Sequence, residues 1–329
     1  MKIAVVGATG LVGREILKVL VEHHLIPEMI IPVASLKSVG KSIEFNGHAV
    51  AVVSNEEAVA MRPELAIFSA GASVSREWAP RYAAAGTTVI DNSSAWRTDP
   101  GIPLVVPEIN APILTRDHKI IANPNCSTIQ LVMVIAPLHR AFGVKRLVVA
   151  TYQSVSGTGE KAVRQLQAER KGIPADMAYP HPIDLNLFPH GGAFLPNGYT
   201  TEEMKLVFET RKILNDPAIK ITATIVRVPV LIGHSEAVNI EFTGKADLPA
   251  IRSLLESSPG VLVCDDVDRN IYPMPVTAAG KDEVFVGRIR LDESLPNAID
   301  LFIVADNLRK GAATNAVQIA SFLISRHLI

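Results

Sequence analysis

Ile3-Ala4-Val5-Val6-Gly7-Ala8-Thr9-Gly10-Leu11-Val12-Gly13 is the stretch whose reading decides the fold. Its four leading apolar residues predict a short buried strand. The glycines follow as G-x-x-G-x-x-G, and Leu11, Ile16, Leu17, Leu20 and Val21 then recur at helical spacing to about His23. Strand, glycine turn and helix in that order let a dinucleotide pyrophosphate approach bare backbone at a helix N-terminus. A glycine-rich turn with no ligand is the plainer alternative. Working outward, apolar runs at 29–34, 49–53, 65–69, 87–91, 104–106 and 120–122 predict further strands, with helical stretches between several of them, notably 75–85. Strands alternating with helices over about 120 residues predict a doubly wound, mainly parallel sheet of Rossmann type.

The end of the second predicted strand bears on cofactor choice. An NAD site usually places an acid there for the ribose 2′-hydroxyl. Here the chain reads Ser35-Leu36-Lys37-Ser38-Val39-Gly40-Lys41, two lysines and no acid. A cation and hydroxyls suit a 2′-phosphate and favour NADP over NAD, although a solvated basic loop has the same composition.

Asn123-Pro124-Asn125-Cys126-Ser127-Thr128 follows the 120–122 run and precedes a predicted helix over 127–140. Cys126 therefore falls at or just before a helix N-terminus. Unpaired N–H groups and the positive dipole end there favour thiolate over thiol, and could also hold an oxyanion formed beside the sulfur. A buried structural cysteine is the alternative.

From Lys145 the pattern changes. Strands are predicted at 146–154, 221–226, 237–242, 261–263, 284–289 and 298–304, with helices at 201–214 (Thr201 as its cap), 248–257 and 308–327. Long strands with few helices between them predict a second α+β domain on an open mixed sheet, one face of it packed on a partner subunit. Residues 173–199 are rich in Pro, His, Gly and Phe and read as a long functional or interface loop. Arg227 ends an apolar strand, where it needs a carboxylate or phosphate; an internal salt bridge would satisfy it equally well. His234, on a short turn, reads as a base or as a satisfied core histidine. His181 and His190 lack metal-ligand spacing, so no metal is expected.

The chain has 329 residues, 48% hydrophobic and 20% charged, with a formal net charge of −1. That composition is globular, long enough for two cores, and carries no field to recruit nucleic acid or an anionic membrane. Its two cysteines are far apart and give no disulfide framework. The apolar start is too short for a signal peptide and no segment suits a membrane span, so a soluble cytoplasmic protein is expected.

Taken together, these motifs resemble those of the aspartate-β-semialdehyde dehydrogenases across essentially the whole chain. Besides the glycine turn and the cysteine motif they include Asp91-Asn92-Ser93-Ser94-Ala95-Trp96-Arg97, Val106-Pro107-Glu108-Ile109-Asn110 and Tyr152-Gln153-Ser154-Val155-Ser156-Gly157. Glu202-Glu203-Met204-Lys205, Arg227-Val228-Pro229-Val230, Gly233-His234-Ser235-Glu236 and Asp306-Asn307-Leu308-Arg309-Lys310-Gly311-Ala312-Ala313 complete the set. The resemblance implies an NADP-binding domain at 1–127, completed by 308–329, and a catalytic and dimerisation domain at 128–307, in a homodimer. It implies NADPH-dependent reductive dephosphorylation of L-aspartyl-4-phosphate to L-aspartate semialdehyde, serving lysine, threonine, methionine and isoleucine biosynthesis.

The resemblance also implies roles. Cys126 is the nucleophile that becomes a thioester, His234 the acid/base, and Gln153 orients the substrate. Arg227 holds the substrate carboxylate and Glu202 its ammonium, while Arg97, Asn125 and Lys205 bind phosphate. Gly7, Thr9, Gly10, Leu11, Val12 and Gly13 wrap the dinucleotide. Lys37 and Ser38 meet the 2′-phosphate, and Ser156, Gly157 and Asn307 lie toward the nicotinamide. Relatives commonly carry arginine at position 37, so lysine here keeps the charge but loses the fork. N-acetyl-γ-glutamyl-phosphate reductases share the chemistry but carry a glycine before the cysteine and a tyrosine after it. Glyceraldehyde-phosphate dehydrogenases differ in the cysteine context and in an acidic ribose residue. A nucleotide-binding paralogue without activity would be expected to have lost Cys126 or His234.

Overall fold

The opening apolar run forms β1 (Lys2–Val6), buried throughout from Ile3 onward, and the glycine turn delivers it into α1 (Leu11–Glu22). The computed structural model describes residues 1–245 and 247–329 and divides into two units, Met1–Asn125 with Ala312–Ile329, and Cys126–Gly311. In the first unit the chain continues through β2 (Met29–Val33), β3 (Ser42–Phe45), β4 (His48–Ala51), α2 (Asn55–Ala60), β5 (Leu65–Phe68), α3 (Ala72–Ala84), β6 (Thr88–Asp91), α4 (Pro107–Asn110) and β7 (Ile120–Ala122). Five strands pair in parallel in the order β2-β1-β5-β6-β7. A parallel strand covered on both faces has no polar side to show, which is why Leu65-Ala66-Ile67-Phe68 lacks alternation. The strand order reverses beside β1, so a crevice opens at the carboxyl ends there. The C-terminal helix Thr314–Ser325 lays Ala316, Val317, Ile319, Ala320 and Leu323 into the same core as Ile3, Ile16 and Leu20.

Two predicted strands of this unit take another form. Residues 49–53 do not join the parallel sheet as a strand: β4 pairs antiparallel with β3 across Asn46-Gly47, both at positive φ. An Asn-Gly pair at positive φ is the favoured two-residue hairpin turn. Residues 104–106 make only an isolated bridge, from Leu104 to Ala122, because Pro107 starts a helix at once.

The second unit begins with α5 (Cys126–Phe142) and β8 (Val144–Gln153), then α6 (Glu160–Arg170), α7 (Thr201–Leu214), β9 (Lys220–Arg227), β10 (His234–Phe242), α8 (Leu248–Glu256), β11 (Val261–Val263), α9 (Pro275–Ala278), β12 (Val284–Leu291) and β13 (Ala298–Ala305). Its mixed six-stranded sheet runs β11-β12-β13-β10-β8-β9. The even residues of β10 from His234 to Phe242 are all buried, while Ala237, Asn239 and Glu241 are only partly covered. α5 lies on the buried face, with eleven of its seventeen residues buried. The predicted cap of α7 shifts by one residue. Thr200, not Thr201, accepts the Glu203 N–H, and the Glu203 carboxylate accepts the Thr200 N–H in return. Among the described residues no helix is long and apolar enough to cross a membrane, and no three His, Cys, Asp or Glu are grouped to hold a metal.

Candidate active site

Register alone gathers most of the site. β9 runs parallel to β8 with Arg227 opposite Gln153, the last residue of each strand. β10 runs antiparallel to β8 and begins there, with Ser235 opposite Tyr152, and His234 faces Ala305 at the end of β13. Four adjacent strands therefore present Arg227, Gln153, His234 and the residues just past Ala305 at one sheet edge.

His234 is fully buried. Its Nδ1 accepts the Ser154 backbone N–H at 3.1 Å, so the neutral ring carries its proton on Nε2. Nε2 has no hydrogen-bond partner among the described residues. Burial, and then the Arg227 charge, hold the imidazole well below the usual histidine range and keep it neutral. Behind the ring, the Asn307 Oδ1 accepts from the Gly233 N–H (2.9 Å) and the Ser154 hydroxyl (3.0 Å), and its Nδ2 donates to the Ser156 hydroxyl (3.0 Å).

Arg227 is 7% exposed, and no carboxylate among the described residues pairs with it. Among the described residues its only side-chain bond is a long one, 3.4 Å from Nη1 to the Ser154 carbonyl. The internal salt bridge that would have explained a buried arginine is thus missing, and an unpaired buried guanidinium is a receptor for an anion. A Cβ on Gly157 would stand 2.8 Å from His234 Nε2 and 3.3 Å from Arg227 Nη1, so both groups converge on the same small space. Glycine keeps that space open.

Cys126 is the first residue of a seventeen-residue helix, half-buried and not disulfide-bonded. The Gln153 amide donates to the Ser127 hydroxyl at 2.9 Å, which ties the end of β8 to the residue beside the sulfur. A Cβ on Gly311 would come within 2.9 Å of the Cys126 Cβ, so that contact also demands glycine. Glu202 and Lys205, in the first turn of α7, pair with each other at 2.5 Å. Residues 173–199 are pinned beside this edge. Phe188 and Arg227 exchange backbone hydrogen bonds, and the Glu169 and Gln165 side chains accept four backbone N–H groups of the segment. Ser154, Ser127 and Gly311 were assigned no role from sequence. Ser154 and Ser127 each flank a residue that was, and Gly311 lies four places past Asn307 in the same motif.

In the first unit, a Cβ on Gly7 would meet the Ser69 carbonyl oxygen at 2.4 Å, and one on Gly13 would meet the Gly7 oxygen at 2.1 Å. Gly7 also has φ +87°. Gly10 caps α1 with no side-chain bond to the helix, and Thr9 lends its carbonyl to Arg14. Leu11 and Val12 are the first two helical residues, so the turn presents bare backbone at a helix N-terminus. Past the end of β2, Lys37 lines a cavity of about 570 Å³ with Ser35, Ser54, Asn55, Glu56, Glu77 and Trp78. Ser38 closes the adjoining turn, its N–H donating to the Ser35 carbonyl. The glycine cradle fits the pyrophosphate of a dinucleotide. Arg97 is buried, with Nε on the Asn123 carbonyl (2.9 Å) and Nη2 on the Asn92 carbonyl (2.7 Å). Asn125 is the last residue of this unit, covalently next to Cys126.

Two family models match the chain: a semialdehyde dehydrogenase NAD binding domain over residues 2–116 and a semialdehyde dehydrogenase dimerisation domain over 135–310. Aspartate-semialdehyde dehydrogenases of Aquifex aeolicus and Legionella pneumophila are each 48% identical over all of this chain, covering 99% and 97% of those proteins. The crystal structure of aspartate semialdehyde dehydrogenase II from Vibrio cholerae superposes with a TM-score of 0.94 at 45% identity, covering 98% of both chains. A second structure of that protein is complexed with ASA.

Proposed function

The chain belongs to the aspartate-semialdehyde dehydrogenase family, and on that premise we propose that it reduces L-aspartyl-4-phosphate to L-aspartate 4-semialdehyde with NADPH through a thioester on Cys126. The observation that carries this reading is the buried Arg227, without an anionic partner, beside an unpartnered His234 Nε2. A substrate carrying both a carboxylate and a reacting carbonyl oxygen satisfies the two at once.

The Cys126 thiolate, stabilised at the start of α5, attacks the acyl carbon. A carbon–sulfur bond forms, the carbon–oxygen bond to phosphate breaks, and inorganic phosphate leaves. NADPH supplies the hydride that reduces the resulting thioester. His234 Nε2–H donates to the oxygen as negative charge develops on it, and the hydrogen bond strengthens with that charge. Collapse then breaks the carbon–sulfur bond, frees the aldehyde and restores the thiolate. Gln153, anchored on Ser127, orients the carbonyl beside the sulfur. Glu202 meets the substrate ammonium, and Arg97, Asn125 and Lys205 meet the phosphate. Gly7 to Gly13 cradle the pyrophosphate, Lys37 and Ser38 prefer the 2′-phosphate, and Ser156, Gly157 and Asn307 form the nicotinamide side. The partly covered face of the mixed sheet, with Tyr152 stacked obliquely on Phe302, supports a homodimer, as the dimerisation-domain match does.

Purified protein given L-aspartate semialdehyde, phosphate and NADP should form NADPH, with the N-acetyl-glutamate analogue inert. NAD in place of NADP tests the Lys37 preference. Cys126→Ala should abolish turnover and acyl-enzyme; a Cys126→Ala protein with near-normal activity ends this mechanism.

A further inference from the structure

One repeat beneath the reacting residues lies a second polar layer that the proposed chemistry leaves unused. Gln130 is one turn along α5 from Cys126, Glu236 one strand repeat along β10 from His234, and Thr151 one repeat back along β8 from Gln153. Residues so spaced share a face with their reactive counterparts. Thr151 and Glu236 are direct cross-strand partners. Gln130, Thr151 and Glu236 are all completely buried.

The Gln130 amide lies beside the Glu236 carboxyl. Even so, neither carboxyl oxygen, neither amide atom nor the Thr151 hydroxyl makes a hydrogen bond of ordinary geometry among the described residues. On the other side of β10, the register sets apolar Ile303 against Glu236. Burial, against which the Gln130 side chain works, pushes the carboxyl well above the usual carboxylate range. A protonated carboxyl and a primary amide each offer one donor and one acceptor along one edge. Their terminal torsions are broad, so rotation alone can bring the two edges together.

We propose that Glu236 is a positioning residue that closes a two-point hydrogen bond with Gln130 and so fixes Cys126 relative to His234. The carboxyl O–H donates to Gln130 Oε1, and the carboxyl C=O accepts from Nε2. The pairing clamps the first turns of α5 to the strand that carries the imidazole. This inference rests on the reading of Cys126 and His234 as the reacting pair.

The test compares Glu236→Gln, Glu236→Leu and the double variant Gln130→Leu/Glu236→Leu. Three readouts apply: kcat and KM, the rate of iodoacetamide alkylation of Cys126 (with Cys126→Ala as the blank for Cys264), and thermal unfolding. Glu236→Leu should lower kcat on the order of tenfold at nearly constant KM and slow alkylation several-fold. Glu236→Gln, which can re-form a two-point amide pair, should restore both to within about twofold of wild type. The double variant removes both polar partners, folds where the single leucine variant fails, and should still show low kcat and slow alkylation. Wild-type kcat and alkylation in a folded leucine or double variant would overturn the proposal. So would a Glu236→Gln protein as impaired as Glu236→Leu. Alkylation needs no substrate, so it judges the clamp even if Cys126→Ala shows the reaction itself to be misassigned.

Discussion

At the scale of single residues, the site is shaped as much by absent side chains as by reactive ones. Gly157 is exposed, yet a methyl group there would press on His234 Cε1 and Nε2 at 2.8 Å. The ring cannot retreat, because it is fully buried with Nδ1 held by Ser154. Gly157→Ala should therefore cut kcat/KM on the order of a hundredfold, by displacing Nε2 and crowding Arg227 together. Steady-state kinetics check this, and thermal unfolding separates it from the overpacking cost of about 1–3 kcal/mol. Sequence brought Arg227 and His234 forward but left each with a structural alternative. What separates the alternatives is whether a buried charge finds a partner, and that depends on residues distant in the chain. Among the described residues no carboxylate reaches Arg227, and the Ser154 N–H fixes the tautomer of His234. Glu236 was readable in principle: two residues past a reactive histidine on a strand, it had to share its face.

At the scale of elements, register positions the chemistry and caps hold the register. α7 carries Glu202 and Lys205 in its first turn, and its N-terminus is fixed by the reciprocal Thr200–Glu203 bonds. Glu203 reaches further, its Oε1 accepting the Ile225 N–H of β9, two residues before Arg227. Thr200→Ala should thus cost about 1 kcal/mol of stability, measured by urea unfolding. It should also raise KM for the amino-acid substrate more than it changes kcat, because binding groups rather than the sulfur are loosened. A KM unchanged beside the lost stability would detach this cap from substrate binding. Elements with strong periodicity were legible: the first strand–turn–helix, the helix after Cys126 and the long strands of the mixed sheet. The 42–51 hairpin was legible only in part: 49–53 reads as a strand, but the alternation of Ser42-Ile43-Glu44-Phe45 is too short to announce its partner. Its Asn46-Gly47 turn was the better signal. The α7 cap slipped by one residue because Thr200 and Thr201 are equivalent in composition, and only geometry assigns the bond.

At the scale of the whole molecule, two buried neighbours on β10 tilt stability in opposite directions with pH. His234 titrates at 6.5 in a model peptide and well below that here, so the folded state refuses a proton that the unfolded chain accepts. Its contribution is complete above pH 6.5 and is lost as pH falls toward the folded value. Glu236 is the reverse: from a model value of 4.5 its folded value is raised, so the unfolded chain releases a proton that the folded state keeps. Its contribution is complete below pH 4.5 and is lost as pH rises toward the folded value. Just below pH 6.5 the two slopes oppose one another. Above 6.5 the His234 slope is gone, and the Glu236 slope, at most about 1.4 kcal/mol per pH unit, runs on to the folded value of the carboxyl. Relative to wild type, Glu236→Gln should gain stability as pH rises past 6.5 and lose it faster as pH falls below that point. His234→Asn should do the opposite in the acid range, its loss with rising pH beginning earlier. Chemical unfolding of the three proteins from about pH 5.5 to about pH 8 reads these differences directly, since charges elsewhere cancel in the comparison. Curves for wild type and Glu236→Gln that run parallel above pH 6.5 would mean the carboxyl is already ionised in the folded protein. A carboxylate could not donate to the Gln130 carbonyl, so the clamp beneath Cys126 would fail with it.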